Sequence, residues 1–333
     1  MRTFSKPAID VPAQLELLKL RGLNIHNGAR AEAFLRFVSF FRLSPYMRPF
    51  QKPEDVEHRF RDGSQFSQLT RLYNFDQRLR LLTMDAIERV EVASRAVISN
   101  HMGPVYGSHW YINPQIFHHA YDHQRLLTTL SLKQSTATRD YQRECERIDR
   151  SQADSARKDL LKHQRARESY SRHYPLTYDQ PSLMPGWAML EELTLGDLSH
   201  LYKGLAKDVD KKAIARRLQL PSPLMQSWLH TLTTIRNVCA HHSRMWNREL
   251  GIRPELPKKA NFLWPEHLLQ QGPHSRIFAV LCILNHLMHQ VSPHTHWDQR
   301  LYQLIDEFPD VSLKAMGFPQ DWYQDPFWHA SPG

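Results

Sequence analysis

Residues 236–248 concentrate side chains that can do acid–base and electrostatic chemistry. The stretch begins with Arg236 and Asn237, and His241 follows five residues after the arginine. Histidine transfers protons near neutral pH, and arginine grips phosphate oxygens with a planar, charged group. An RNA strand carries its own nucleophile, the 2′-hydroxyl. These residue types therefore suit metal-independent cleavage of RNA.

The hypothesis gives each residue of the motif a separate role. His241 acts as the general acid or base, and Arg236 stabilises the charge that builds on the phosphorane. Asn237 orients either the phosphate or the imidazole. General acid–base catalysis contributes about 10²- to 10⁴-fold to a rate, and a fixed charge on the transition state about 10²- to 10³-fold more.

The residues around this motif predict one helix with two faces. The face predicted to be buried is apolar, and its residues are Met225, Trp228, Leu232, Ile235 and Cys239. The other face is polar and falls in a narrow arc of the same helix, with His230, Thr234, Asn237, His241, Arg244 and Arg248. We interpret Arg248, at the end of this polar face, as an RNA contact.

The spacing of Arg236 and His241 has a geometric difficulty. Five residues along an ideal α-helix correspond to a rotation of about 140°. The two side chains converge only if the helix tightens or ends here, or if the pocket forms between two protomers of a symmetric dimer. A structural arginine and a core histidine remain the alternative for so short a motif.

Composition favours a basic helical protein with an anionic partner. The chain has 333 residues, enough for one large domain or two, with 41% hydrophobic residues and only 12 glycines. Its formal net charge is +9 and its isoelectric point about 9.5, which favours nucleic acid, although many basic proteins bind nothing acidic specifically. Three scattered cysteines fit a reducing compartment. With no signal-peptide core and no membrane-spanning apolar run, we expect a soluble cytoplasmic protein.

Helical spacing of apolar residues along most of the chain predicts an all-α fold. The longest clean pattern covers residues 65 to about 101 and is expected to end at Gly103 and Pro104. An earlier helix is expected from about 29 to 41, with a proline break in the stretch 42–46 that follows it. The inward-facing residues of this earlier helix are predicted to be Phe34, Phe37, Val38 and Phe41.

Four residues outside the motif are further site candidates. Arg42 and Tyr46 are interpreted as RNA contacts, with packing at a helix end as the alternative. Glu88 and Arg89 are interpreted as a network that holds His241 or Arg236. An ion-pair network on a solvated face, worth under about 0.5 kcal/mol per pair, is the alternative for these two.

Two other features leave their functions open. Residues 133–173 contain eleven Lys or Arg and seven Asp or Glu, which predicts an exposed basic helical hairpin. It either binds the RNA backbone nonspecifically or is solvated without a ligand. The pairs His286/His289 and His294/His296 have spacings that can hold zinc or nickel. They lack a supporting Cys or acidic residue, so we expect no metal and no cofactor.

The motif and its extension resemble a known family. Arg-Asn-x-x-x-His, here residues 236–241, is the motif of the HEPN ribonuclease superfamily. The continuation Cys-Ala-His-His-Ser-Arg-Met-Trp-Asn-Arg, residues 239–248, is similar to the Abi-like (AbiD/AbiF) abortive-infection family within it. Four further blocks between Lys6 and Trp322 also resemble that family.

The resemblance implies a fold, an activity and partners. It implies an all-helical HEPN-like bundle, usually a homodimer in which the motifs of two protomers meet. It also implies a metal-independent endoribonuclease toxin of bacterial antiphage defence, in some members controlled by a small noncoding RNA as a toxin–antitoxin pair. Arg236 and His241 are then catalytic with Asn237, and His242 and Arg244 support them.

The expected organisation has three segments. Residues 1–64 form an N-terminal helical segment, residues 65–300 the HEPN-like domain with 133–173 as an exposed insertion, and residues 301–333 a packed tail. The expected partners are RNA and a second copy of the chain, and no membrane is expected. A noncatalytic RNA-binding sensor or scaffold that uses the same basic face is the alternative function.

Overall fold

The computed structural model describes residue 3 and residues 7–258, 262–270 and 274–329. Within these ranges the chain forms fourteen α-helices and no β-strand beyond isolated bridges, which confirms the predicted all-α class. The helices are α1 (Val11–Leu20), α2 (Gly28–Val38), α3 (Phe40–Met47), α4 (Phe66–Tyr106), α5 (His123–Asp149), α6 (Ser155–Arg167), α7 (Tyr170–Thr177), α8 (Gly186–Glu192), α9 (Leu195–Gly204), α10 (Asp208–Arg216), α11 (Ser222–Ala240), α12 (Glu266–Leu269), α13 (Ile277–Val291) and α14 (Trp297–Asp306).

The helix α4 is the axis of the fold. It has 41 residues, which corresponds to about 60 Å, and it packs against α3, α8, α9, α10, α11, α13 and α14. Apolar side chains at helical spacing bury one stripe along its length, from Leu69 through Leu79 to Ile98. Two charged residues, Asp76 and Arg80, lie in the same buried stripe. These two residues contact the loop that follows α11.

Two helix boundaries differ from those expected. The helix α4 continues through Gly103 and Pro104 and ends at Gly107, which has a φ of 91° and donates its N–H to the Gly103 carbonyl. The glycine that ends the helix is therefore Gly107, at a positive φ that residues with a side chain rarely adopt. The single helix expected over 29–41 is instead two, α2 and α3, which meet at Ser39 with a φ of 67°.

A proline was expected to break the chain in the stretch 42–46, and that prediction is wrong. The helix α3 runs from Phe40 to Met47 and includes Pro45. Only eight residues long, α3 has few internal hydrogen bonds for a proline to remove. Its buried residues Leu43, Tyr46 and Met47 hold it against α4.

One cluster of buried hydrophobic side chains joins the three expected segments. It includes Leu18 from the first, Leu79 from the second and Trp322 from the third, so all three contribute to one core. The division at residues 64 and 300 stays a prediction. Lys6, where the family resemblance was expected to begin, lies outside the described residues. In the described part of the chain, no helix combines the length and apolar character that crossing a bilayer requires.

The basic region 133–173 lies in α5, α6 and α7. Its first two helices contact each other, and α6 has no buried residue. Ion pairs join the helices of this region, with 2.7 Å between Lys162 and Asp149 and 2.9 Å between Arg172 and Glu144. Part of the positive charge is therefore neutralised within the region, and its binding to RNA stays a prediction.

Candidate active site at the end of α11

The helix α11 carries the first part of the motif, and its buried face is the predicted one. Met225, Trp228, Leu232, Ile235 and Cys239 are all buried. Trp228 also donates its indole N–H to the Glu255 carbonyl at 2.8 Å. With this face in the core against α9 and α4, the opposite side of the last turn is left for the motif. Asn237 is exposed and Arg236 half-buried, and the Arg236 guanidinium lies 3.4 Å from the Asn237 side-chain oxygen.

The helix ends inside the motif rather than continuing through it. Ala240 is the last helical residue, His241 is the C-cap, and His242 has a φ of 53°. His242 donates its backbone N–H to the Cys239 carbonyl at 3.0 Å, and Ser243 donates to the Val238 carbonyl at 2.9 Å. This pair of bonds is a Schellman motif. The prediction that Arg244 and Arg248 continue the polar face of the same helix is therefore wrong.

Three residues without a glycine's freedom adopt positive φ around this helix end. They are Ser39 at 67°, His242 at 53° and Asn247 at 50°. A left-handed conformation costs about 1–2 kcal/mol in a residue with a Cβ, and it persists only where the surroundings fix it. Backbone strain of this kind is found at functional sites, and here it also occurs elsewhere in the chain, at Glu54, His58 and Gln219, so it agrees with a site beside the motif without identifying one.

A buried carboxylate fixes the chain directly after the helix end. Asp76 of α4 is fully buried, and its Oδ1 accepts hydrogen bonds from the backbone N–H of Met245 at 3.1 Å and of Trp246 at 2.6 Å. Its Oδ2 accepts from the Tyr46 hydroxyl and from the Arg80 guanidinium. Burial raises the pKa of Asp76, against the opposing effects of Arg80 and the donated hydrogen bonds. These four donors make a buried carboxyl group tolerable here.

Tyr46 belongs to this buried network. Its side chain is 2% exposed, and burial together with Asp76 raises the pKa of its hydroxyl, so the hydroxyl keeps its proton and donates it to Asp76. The interpretation of Tyr46 as an RNA contact is wrong in this structure because the side chain cannot reach a ligand. The alternative role, packing at a helix end, fits Tyr46 in this structure. Through Asp76, this packing helps to position the motif loop.

Arg42 reaches the helix end from the outside. Its guanidinium donates to the backbone carbonyl of His242 at 2.7 Å, and Arg80 approaches the next carbonyl, of Ser243, at 3.4 Å from the buried side. Both carbonyls belong to the residues that follow the helix C-cap, and the charged guanidinium groups stabilise the loop that begins there. Arg42 is exposed and lies beside the motif, so its contact with RNA remains a proposal.

Two phenylalanines beside Arg42 face solvent instead of the core. Phe37 is 86% exposed and Phe41 is 87% exposed, so the prediction that both face inward is wrong. The expectation assumed one continuous helix. The break at Ser39 turns α3 away from the direction of α2, and Leu35 and Leu43 fill the core instead. Exposed aromatic rings beside a cation are the arrangement on which unpaired bases stack.

Glu88 and Arg89 do not form the expected support for the motif. Both side chains are exposed on α4. Arg89 donates to Ser292 at 3.2 Å and to Asp85 at 3.5 Å. These contacts are with α4 itself and with the end of α13, not with His241 or Arg236. The supporting charges are Asp76 and Arg80, two to three turns earlier in the same helix.

The residues that follow the helix end form a loop with its own hydrogen bonds. Arg244 is half-buried and donates to the Asn247 carbonyl at 3.1 Å, and Arg248 is half-buried nearby. His241 and His242 are exposed. The structure therefore presents the imidazoles of His241 and His242, the Asn237 amide and the Arg236 guanidinium near one helix end, and a buried ion pair contacts the loop that follows it.

The cysteine inside the motif is not a nucleophile. Burial raises the pKa of the Cys239 thiol to about 12, so the reactive thiolate does not form at neutral pH. We expect iodoacetamide to leave Cys239 and Cys282 unmodified in the native protein and to react first with the less buried Cys145. Peptide mass spectrometry checks this, with the urea-unfolded chain as the control in which all three react. Rapid native modification of Cys239 would contradict the burial of this face.

The histidines considered as metal ligands divide between core and surface. His286 is buried against Phe262, Trp228 and Trp264, and burial lowers its pKa to about 4. This histidine is a neutral part of an aromatic cluster. Across the described ranges, no group of three or more His, Cys, Asp or Glu side chains is arranged to hold a metal ion.

Comparison with known proteins assigns the chain to a family. A family model described as Abi-like protein matches residues 33–247, which is more than half of the chain. The chain belongs to the Abi-like family. The matched span contains the α3 segment with Tyr46, the α4 segment with Asp76 and the motif at the end of α11. It is narrower than the resemblance expected from Lys6 to Trp322. No curated protein and no solved structure matches the chain.

Membership of the Abi-like family suggests a role in abortive-infection defence. The three structural features that surround the motif, Arg42, the Tyr46–Asp76–Arg80 network and the helix end itself, all lie within the matched residues. The predicted tail, residues 301–333, lies outside the match.

Proposed function

We propose that this Abi-like protein is a metal-independent endoribonuclease of the HEPN type, acting as a toxin in antiphage defence. The observation that carries the proposal is the exposed Asn237 and His241 with the half-buried Arg236, at a helix end followed by a loop that a buried ion pair holds in place. A substrate phosphate can reach side chains that are open to solvent, and catalysis requires that the backbone hold these side chains in fixed positions.

The proposed reaction needs two proton transfers. The 2′-oxygen attacks phosphorus and gives up its proton, the bond from phosphorus to the 5′-oxygen breaks, and that oxygen takes up a proton. The products are a 2′,3′-cyclic phosphate and a 5′-hydroxyl. His241 performs one transfer and Arg236 stabilises the phosphorane, with Asn237 orienting the phosphate.

A second copy of the chain completes the site in this proposal. His241 is the C-cap of α11, so the rotation of about 140° from Arg236 that an ideal helix imposes is nearly retained within one protomer. In a homodimer, His241 of a second copy supplies the other proton transfer and faces Arg236 of the first. His242 and Arg244 support this centre.

The surface near the motif favours single-stranded RNA as the substrate. Phe37 and Phe41 offer rings for stacking, Arg42 and Arg248 offer positive charge, and the chain has a formal net charge of +9. A small noncoding RNA as a regulator, and a cytoplasmic location, belong to the same proposal. The second candidate is a noncatalytic RNA-binding sensor, which the same exposed aromatic and basic side chains favour.

Incubation of the purified chain with single-stranded RNA in EDTA tests the chemistry directly. We expect fragments whose 5′-hydroxyl ends accept a labelled phosphate from polynucleotide kinase without prior phosphatase treatment. A strand of the same sequence with 2′-O-methyl groups is expected to stay intact because its nucleophile is blocked.

Three results would decide against this function. Cleavage of the 2′-O-methyl strand would exclude attack by the 2′-hydroxyl. Cleavage that appears only when Mg²⁺ replaces EDTA would exclude the metal-independent mechanism. Retention of both strands without new ends would favour the sensor.

A further inference from the structure

A cavity of about 390 Å³ lies beside the motif loop, and three of its seven lining residues are arginines. Three guanidinium groups, those of Arg48, Arg244 and Arg276, open onto it. The other lining residues are Pro45, Pro49, Asn247 and Glu249. The cavity thus brings together the end of α3, the loop after α11 and the residue before α13.

The positive charge of this cavity is only partly neutralised by the protein, because three arginines and one glutamate line it. Among the residues that the structure describes, none of Arg48, Arg244 and Arg276 forms an ion pair with a carboxylate. Glu249 lines the cavity but is exposed and makes no such pair. Burial lowers the pKa of Arg244, and Arg48 and Arg248 lower it further, against the effects of Asp76 and Tyr46. Like charges gathered around a half-buried guanidinium repel one another unless an anion joins them.

The protein holds two of these arginines in place by specific backbone features. Asn247, at a φ of 50°, accepts from Arg244 with its carbonyl at 3.1 Å and from Arg276 with its side-chain oxygen at 2.9 Å. Gly317, at a φ of 87°, lies so close to Arg276 that a Cβ there would come within 2.7 Å of the arginine's Cβ. Each arginine uses one donor in these bonds and keeps others free for a ligand.

We propose that the cavity formed by Arg48, Arg244 and Arg276 is a phosphate-binding site that lies beside the catalytic His241 centre and shares Arg244 with it. Planar guanidinium groups match the oxygens of a phosphate group, and three of them can surround one. The inference rests on the proposed function only in naming RNA as the source of the phosphate. That source is either an internal phosphate of the strand or a terminal phosphate, as on a strand end or a mononucleotide.

Binding of pyrophosphate and of uncleavable 2′-O-methyl RNA to the full chain tests the site without any cleavage. We expect Arg48→Gln and Arg244→Gln each to weaken pyrophosphate binding about ten-fold or more, because each removes a charge-assisted hydrogen bond. Glu249→Gln is expected to strengthen it, because it removes the cavity's only carboxylate. Arg216→Gln, at the exposed end of α10, removes the same charge elsewhere and is the matched control. Isothermal titration calorimetry at fixed salt gives the affinities.

The RNA arm of the experiment distinguishes the two sources. If the site takes an internal phosphate, Arg48→Gln weakens the binding of 2′-O-methyl RNA that lacks terminal phosphates. The slope of log affinity against log salt concentration then falls in magnitude by about 0.7. If the site takes a terminal phosphate, the variant weakens the binding only of strands that carry a terminal phosphate. Either result supports the site.

Equal pyrophosphate affinity of wild type, Arg48→Gln and Glu249→Gln would overturn the proposal. Arg48 is exposed, so its variant tests the site even if Arg244→Gln fails to fold. Binding through this cavity without any RNA cleavage would leave the site standing and exclude the nuclease. RNA cleavage by the wild type, combined with unchanged binding in the cavity variants, would support the nuclease and exclude the phosphate site.

Discussion

Replacing His241 with alanine is expected to lower the rate of RNA cleavage by about 10²- to 10⁴-fold, the usual contribution of general acid–base catalysis. The side chain is exposed, and the helix end is held by backbone bonds to Asn237 and Cys239. The free energy of unfolding should therefore change by less than about 0.5 kcal/mol. Single-turnover cleavage of a labelled strand and urea unfolding measure the two quantities on the same preparations.

Two matched variants separate the chemistry of His241 from the loss of any surface histidine. His230→Ala removes an exposed imidazole from the same helix and is expected to leave the rate unchanged. His242→Asn keeps a residue that tolerates positive φ, so it tests the second imidazole without disturbing the helix end. A full cleavage rate in His241→Ala would exclude His241 as the catalytic acid or base.

The Arg236→Ala variant, measured in the same cleavage assay, tests whether the charge of the guanidinium stabilises the phosphorane. A loss of about 10²- to 10³-fold is expected if the guanidinium acts on the phosphorane. If the site forms between two copies, mixing Arg236→Ala with His241→Ala protein restores part of the activity, because in each mixed dimer the intact Arg236 of one copy faces the intact His241 of the other and only one of the two proton-transfer groups is missing. No restoration in a confirmed mixed dimer would place both residues in the same protomer.

The sequence predicted the class of the fold and the burial of α11 because both depend on local spacing. Every apolar residue expected on the buried face of α11 is buried, since helical periodicity records which side faces the core. The end of the same helix could not be predicted in this way. His242 adopts positive φ without being a glycine, and the tertiary contacts of Arg42, Arg80 and Asp76, which spacing does not reveal, add to the local backbone bonds that hold that end.

The orientation of Phe37 and Phe41 was misjudged for a related reason. Their spacing fits a continuous helix, and the expectation had no means to place the break at Ser39, whose φ of 67° is not a glycine's. Asp76 did leave a signal in the sequence. It stands at a core position of a long apolar pattern, and a charge at such a position requires a partner. Its partners are far away in the chain, so spacing alone does not identify them.

Asp76→Ala is expected to have the largest effect on stability, because it leaves the guanidinium of Arg80 buried and unpaired. Removing one partner of a buried ion pair costs about 3–5 kcal/mol. The backbone N–H groups of Met245 and Trp246 lose their acceptor as well, so the motif loop should become mobile and cleavage should fall with it. Urea unfolding monitored by far-ultraviolet circular dichroism gives the free energy.

The control for Asp76 lies nine residues later in the same helix. Asp85 pairs with Arg89 and Arg300 at the surface, and Asp85→Ala is expected to cost under about 1 kcal/mol. Tyr46→Phe should be intermediate, at about 1–3 kcal/mol, because it removes one buried donor and keeps the ion pair. The order Asp76→Ala, Tyr46→Phe, Asp85→Ala follows from how much buried charge each change leaves without a partner. If Asp76→Ala costs no more than Asp85→Ala, the buried network does not hold the motif loop, and the helix end must derive its stability from its own backbone bonds.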